Sequence, residues 1–150
     1  RSSDLRLGVI LMGNFVAEFP DAEAACIMGL RAHLQGVSVR QQADKLGTRQ
    51  CVVKLTSSGT RLDPRRVRVQ LTVTCWGKDN TDSTEAFNLA AKCLNWVEER
   101  PYYGHMGKYP CHKVDIVSYP YYDPDSSQSS GGSGIARYSF TFRTILAGVN

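Results

Sequence analysis

Between Arg66 and Trp76 the chain alternates without a break: Val67, Val69, Leu71, Val73 and Cys75 are apolar, and Arg66, Arg68, Gln70, Thr72, Thr74 and Trp76 stand between them. Side chains of a strand point to opposite faces with period two. The pattern therefore predicts a half-buried β-strand with one aliphatic face and one basic, hydroxylated face ended by an indole. Its length of 11 residues, against about 5 or 6 for an ordinary strand, predicts a central position in a sheet.

Weaker alternation marks the other strands. Residues 37–40 and 50–56 read as two strands, the second through Cys51, Val53 and Leu55. In residues 56–65, Gly59 can supply a positive φ and Pro64 a fixed bend, which returns the chain as a hairpin into the long strand. Residues 111–119 alternate through Val114 and Ile116, and residues 137–144 direct Tyr138, Phe140 and Phe142 inward. Residues 1–19, with the apolar run 7–12, read either as a strand added to the sheet edge or as an arm reaching a neighbouring subunit.

Two helices separate these strands. Asp21 can cap a helix over about residues 22–35, with Glu23 favourable in its first turn and Gly36 as a left-handed stop. Its predicted apolar stripe is Ala24, Ile27, Met28, Leu30 and Leu34. The second helix opens at a capping box of Asp82 and Glu85 and cannot run far past Arg100, because Pro101 follows. Ala86, Leu89, Ala90, Cys93, Leu94 and Val97 make its stripe. Phe87 and Trp96 fall off that stripe, either as boundary packing or as anchors to another surface. Residues 101–110 read as an irregular aromatic loop. Residues 119–125 read as a stiff shoulder held by Pro120 and Pro124, and residues 126–134, rich in Ser and Gly, as a flexible surface loop. Together the elements predict one domain over residues 1–150, of class α+β: a mostly antiparallel or mixed sheet with two helices on one face.

Composition narrows the function classes. A chain of 150 residues can bury a sizeable core, and a net charge of +4 with acids and bases interspersed lacks the concentrated basic stripe of a dedicated nucleic-acid binder. Arg61, Arg65, Arg66 and Arg68 do gather around the hairpin, as a solvated face or as a contact for an acidic partner or DNA. The five cysteines are odd in number, lack any CxxC pair and fall on apolar faces, which predicts buried thiols in a reducing compartment. No apolar run approaches the roughly 18 residues of a membrane span, and no stretch resembles a signal peptide, so the expectation is a soluble protein made in the cytosol. Cys111 with His105 or His112 has no orienting group or oxyanion hole at a recognisable spacing, which argues against an enzyme. His33 has no second ligand type nearby in sequence and reads as a surface residue; no metal or cofactor is expected.

Taken in order, several short motifs resemble the tail terminator proteins of long-tailed actinobacterial phages over about residues 19–148. They are Phe19-Pro-Asp-Ala-Glu-Ala24 at a helix start, Arg66-Val-Arg-Val69 leading to Thr74-Cys-Trp76, the Asp- and Thr-rich entry to the second helix, Tyr122-Asp-Pro-Asp-Ser126 and Ala136-Arg-Tyr-Ser-Phe140. The segment before Phe19 and the Ser/Gly insertion depart from that pattern. The resemblance implies a homo-hexameric ring that caps the tail tube, ends its polymerisation and joins the tail to the head. Its partners would be the tail tube protein and a head-neck stopper or connector protein. Genome DNA would pass through the lumen without specific binding, and no membrane would be involved. The expected location is the virion tail and neck, and the host cytoplasm during assembly; another neck or tail-completion protein is the alternative. On this reading the assembly contacts fall to Arg61, Arg66, Arg68, Trp76, Asp123, Asp125 and Arg137, an exposed Trp beside arginines being a good hot-spot composition.

Overall fold

From Arg66↔Ala147 to Trp76↔Arg137, the strand Arg66–Trp76 pairs with the strand Arg137–Ala147 in one unbroken antiparallel register. This ladder is the middle of the molecule. The computed structural model describes residues 16–45, 47–57, 59–79, 82–124 and 135–149. The predicted N-terminal strand or arm, up to residue 15, and the Ser/Gly loop of residues 126–134 lie outside the described residues.

In chain order the elements are α1 Ala22–His33, β1 Ser38–Arg40, β2 Gln50–Leu55, β3 Thr60–Arg61, β4 Arg66–Trp76, α2 Ser83–Glu98, α3 Arg100–Tyr103, β5 His105–Met106, β6 Tyr109–Tyr122 and β7 Arg137–Ala147. The sheet runs β1-β2-β4-β7-β6-β5, with β3 also paired to β4. Among the described residues only the β1–β2 contact is parallel. β2 and β3 follow one another along the same edge of β4: between Leu55↔Leu71 and Thr60↔Arg68 one side advances five residues and the other three. The two extra residues make a bulge, and Gly59 takes the positive φ of 81° that it requires.

The period-two reading of β4 holds for its inner face. Val67, Val69, Leu71, Val73 and Cys75 are each 2% exposed or less and join Phe140, Phe142 and Leu146 of β7 beneath the two helices. The fold is thus α+β, a mixed sheet with α1 and α2 on one face.

Both helix caps form. Asp21 accepts from the Ala24 amide at 3.1 Å, and Glu23 accepts from the Leu55 amide at 2.7 Å, which ties the start of α1 to the end of β2. Asp82 accepts from the Thr84 amide rather than from Glu85. The Glu85 carboxylate turns instead to the Lys78 amide and to Arg49, 3.6 Å away.

Four expectations need correction. α1 ends at His33 and buries Ala22, Ala25, Cys26, Ile27 and Leu30, while Met28 is 67% exposed. With small Ala and Cys residues all round, several arcs of this helix are equally apolar, and contact with the sheet and α2 selects one. Trp96 lies within the α2 stripe, 5% exposed, against Gly29 of α1. Residues 101–110 are ordered: α3 stops at Gly104 (φ 85°) and β5 turns back on β6 through Gly107 (φ 59°). β6 and β7 are both longer than the alternation indicated, because bulges in β6 interrupt its period while the ladder continues.

The tight turn into β4 is organised by Asp63. Its carboxylate accepts from the amides of Arg65 and Arg66, each at 2.8 Å, and from the Arg66 side chain at 2.6 Å. The Arg66 guanidinium and the two amides hold its pKa down to about 2, against 3.8 for an ordinary Asp. Asp63 therefore stabilises the fold fully above pH 4, and that contribution is lost as pH falls through about 2. We expect Asp63→Asn to lower the urea midpoint at pH 7, with the gap from wild type closing as pH is lowered to 2. A gap that stays constant over that range would contradict this role.

Candidate functional site

On the face of β4 and β7 away from the helices, hydroxyl side chains pair across the ladder, Thr72 with Thr141 at 2.8 Å and Thr74 with Ser139 at 3.0 Å. The candidate contact residues sit at the two ends of this row, not together. Arg66, Arg68 and Arg61 lie at the β3–β4 end, and Trp76, Arg137 and Asp123 at the other. At about 3.3 Å per residue, the ten steps of β4 separate Arg66 from Trp76 by roughly 33 Å. Asp125 lies outside the described residues.

At the first end Arg61 is a staple. Its guanidinium donates to the carbonyls of Ala17 (3.3 Å) and Pro64 (3.1 Å) and stands 5.3 Å over the Phe19 ring. Arg66 is committed to Asp63, and Arg68 is exposed.

The second end is a corner. Trp76 is only 5% exposed, covered by Val52, Ile135 and the Arg137 guanidinium, which lies 5.5 Å from its ring centroid. Arg137 Nε donates to the Asp123 carbonyl at 2.6 Å, its terminal nitrogen stands 3.4 Å from the Asp123 carboxylate, and that carboxylate accepts from Ser139 Oγ at 3.2 Å. Thr74, Ser139 and Asp123 thus form a hydrogen-bonded chain, and the Asp123–Arg137 pair clamps the two ends of the insertion. Trp76 is the floor of this corner and not an exposed anchor.

Sequence reasoning missed a more open feature. β6 pairs with β7 on one side over most of its length, but on its other side β5 reaches only Tyr109 and Pro110, and Cys111 donates to the Gly104 carbonyl. Among the described residues, no strand pairs with that side from His112 to Tyr122. Val117 (46%), Tyr119 (62%), Tyr121 and Tyr122 are exposed along it. A cue was present in the sequence, in the tyrosines around Pro120, since proline is tolerated where no ladder amide is needed.

The thiols are buried, as the apolar-face pattern implied. Cys111 is hydrogen-bonded to Thr144 Oγ1 at 3.4 Å, and burial pushes its pKa up, the opposite of an activated nucleophile. His105 Nδ1 contacts the Gly107 carbonyl at 3.2 Å, within its own turn. Cys51, Cys75 and Cys93 converge beneath the sheet. Burial pushes the Cys75 thiol up, whereas hydrogen bonds from Cys51 and then Cys75 hold Cys93 well below the ordinary thiol range.

No helix among the described residues is long and apolar enough to cross a membrane. In comparison with known proteins, no characterised family and no curated protein sequence matches this chain.

Proposed function

We propose that this chain is a structural virion protein of the tail terminator kind: six copies close into a ring that caps the phage tail tube, ends its growth and joins the tail to the head-neck complex. The motif order supports this reading, as does the agreement between the α+β architecture and the one the resemblance implies. The observation that carries it is the edge of β6 that no strand among the described residues covers. Such a strand edge can pair with another chain; Pro120 and the bulges of β6 limit that pairing to part of its length, and the exposed side chains carry the contact over the rest. Here Val117, Tyr119 and Tyr121 are exposed along it. If that edge meets a different surface of the next copy, the contact is head-to-tail, which closes into a ring when the rotation permits. The corner at Trp76 and the basic end at Arg66 and Arg68 then lie on opposite ends of each subunit, available to two different neighbours, the tube and the neck. The protein binds DNA without sequence preference or not at all, and performs no chemistry.

Electron microscopy of purified tail tubes with added protein tests this reading. Wild type is expected to cap tube ends with a sixfold ring, and Tyr119→Lys with Tyr121→Lys to abolish capping while shifting the thermal midpoint by less than a few degrees. Capping by a dimer, or no binding to tubes, would overturn the terminator assignment. Binding to neck complexes alone would instead assign the chain to another head-tail joining component.

A further inference from the structure

Three elements distant in sequence each bring one sulfur to a single point under the sheet. Cys51 of β2 and Cys75 of β4 are direct cross-strand partners, with their Sγ atoms 3.3 Å apart, and Cys93 of α2 lies 3.6 Å from the first and 3.9 Å from the second. All three are 1% exposed or less. Small apolar packing accounts for any one thiol in a core. Three sulfurs in mutual contact, presented by two strands and a helix, are also the donor arrangement of a thiolate site.

Metal geometry fits the spacing. With zinc–sulfur bonds of about 2.3 Å at tetrahedral angles, sulfurs stand roughly 3.8 Å apart, so each observed separation lies within about 0.5 Å of the required one. A disulfide between Cys51 and Cys75 would need a closure of more than about 1 Å, to roughly 2.05 Å, between two strands held in register. We propose that Cys51, Cys75 and Cys93 form a binding site for one thiophilic divalent cation of the zinc class, independent of the ring assembly.

A cavity of about 600 Å³ opens between the end of α1 and the start of α2, lined by His33, Leu89 and Lys92 among others. Lys92 is next to Cys93 on α2, and Leu89 is about one turn before it. His33 on the cavity wall is of the donor type that completes the Cys₃His composition of structural zinc sites, though it lies outside the cluster formed by the three sulfurs. On binding, the S–H bonds of whichever of the three sulfurs are still protonated break, their protons leave to solvent and three metal–sulfur bonds form, with no change of oxidation state. Occupancy therefore weakens as pH falls.

Cadmium, a spectroscopic stand-in for zinc, provides the test. Titration of the reduced full chain with Cd²⁺ is expected to raise a thiolate-to-metal charge-transfer band that saturates at one equivalent and is reversed by Zn²⁺. X-ray absorption of the wild-type complex should count three sulfurs. Cys93→Ala and Cys75→Ala should each remove the band, while Cys111→Ala leaves it intact. Absence of the band in the folded wild type, a sulfur count of one or none, or loss of the band in Cys111→Ala would each overturn the proposal; the sulfur count needs no variant to fold.

Discussion

Gly29→Ala is expected to destabilise the protein by about 2 kcal/mol, the reverse of what the same change does in most helix interiors. Replacing a helical Gly by Ala ordinarily stabilises by about 1 kcal/mol. Here the new Cβ would stand 2.1 Å from Cζ2 and 2.5 Å from Cη2 of Trp96, where α1 crosses α2. The indole has little room to yield. It is 5% exposed, and the buried Arg100 lies 4.3 Å over its ring while donating to the Trp96 carbonyl at 2.8 Å. Overpacking of this kind costs about 1–3 kcal/mol or more, which outweighs the propensity gain. For a chain of this size the thermal midpoint should fall by roughly 4–8 °C. Adding Trp96→Leu to Gly29→Ala should recover part of the loss, because the leucine vacates the space the methyl needs. A Gly29→Ala protein as stable as wild type would show that the helices are not in van der Waals contact at this point.

Trp76 is expected to split its substitutions by shape rather than by hydrogen bonding. Trp76→Ala removes the floor beneath Val52, Ile135 and Arg137 and should cost about 3–5 kcal/mol, in line with other buried aromatics truncated to Ala. Trp76→Phe should cost far less, about 1 kcal/mol. The buried indole Nε1 has no hydrogen-bond partner among the described residues, so no bond is lost when it goes. Urea denaturation of the two variants decides the matter. Equal losses would mean that Nε1 is bonded in solution, and a negligible loss for Trp76→Ala would place the ring outside the folded core.

These two tryptophans mark the division between what sequence dictated and what tertiary structure added. The alternation of residues 66–76 determined the central strand and its inner face, because period two survives any packing that keeps one face dry. Asp21 and Asp82 determined where α1 and α2 begin, since caps satisfy amides locally. The return of the chain into β4 after Gly59 and the α+β class followed from equally local chemistry. What could not be read locally is which surfaces meet. Trp96 joins the core because Gly29 leaves a groove for it 67 residues away, and Trp76 is covered by residues that arrive from β2 and β7. The candidate contact residues are consequently split between two ends of the sheet, although Arg66, Arg68 and Trp76 lie within 11 positions of one another. The side of β6 that no strand among the described residues pairs with depends on strand order, a property of the whole sheet. The same holds for the three sulfurs: Cys51, Cys75 and Cys93 were legible one at a time as buried thiols, but only the pairing of β2 with β4 and the seating of α2 on both brings them into contact. Local patterns decide backbone periodicity because their energetics are settled within a few residues. Contacts between distant segments depend on the packing of surfaces whose partners no local pattern names.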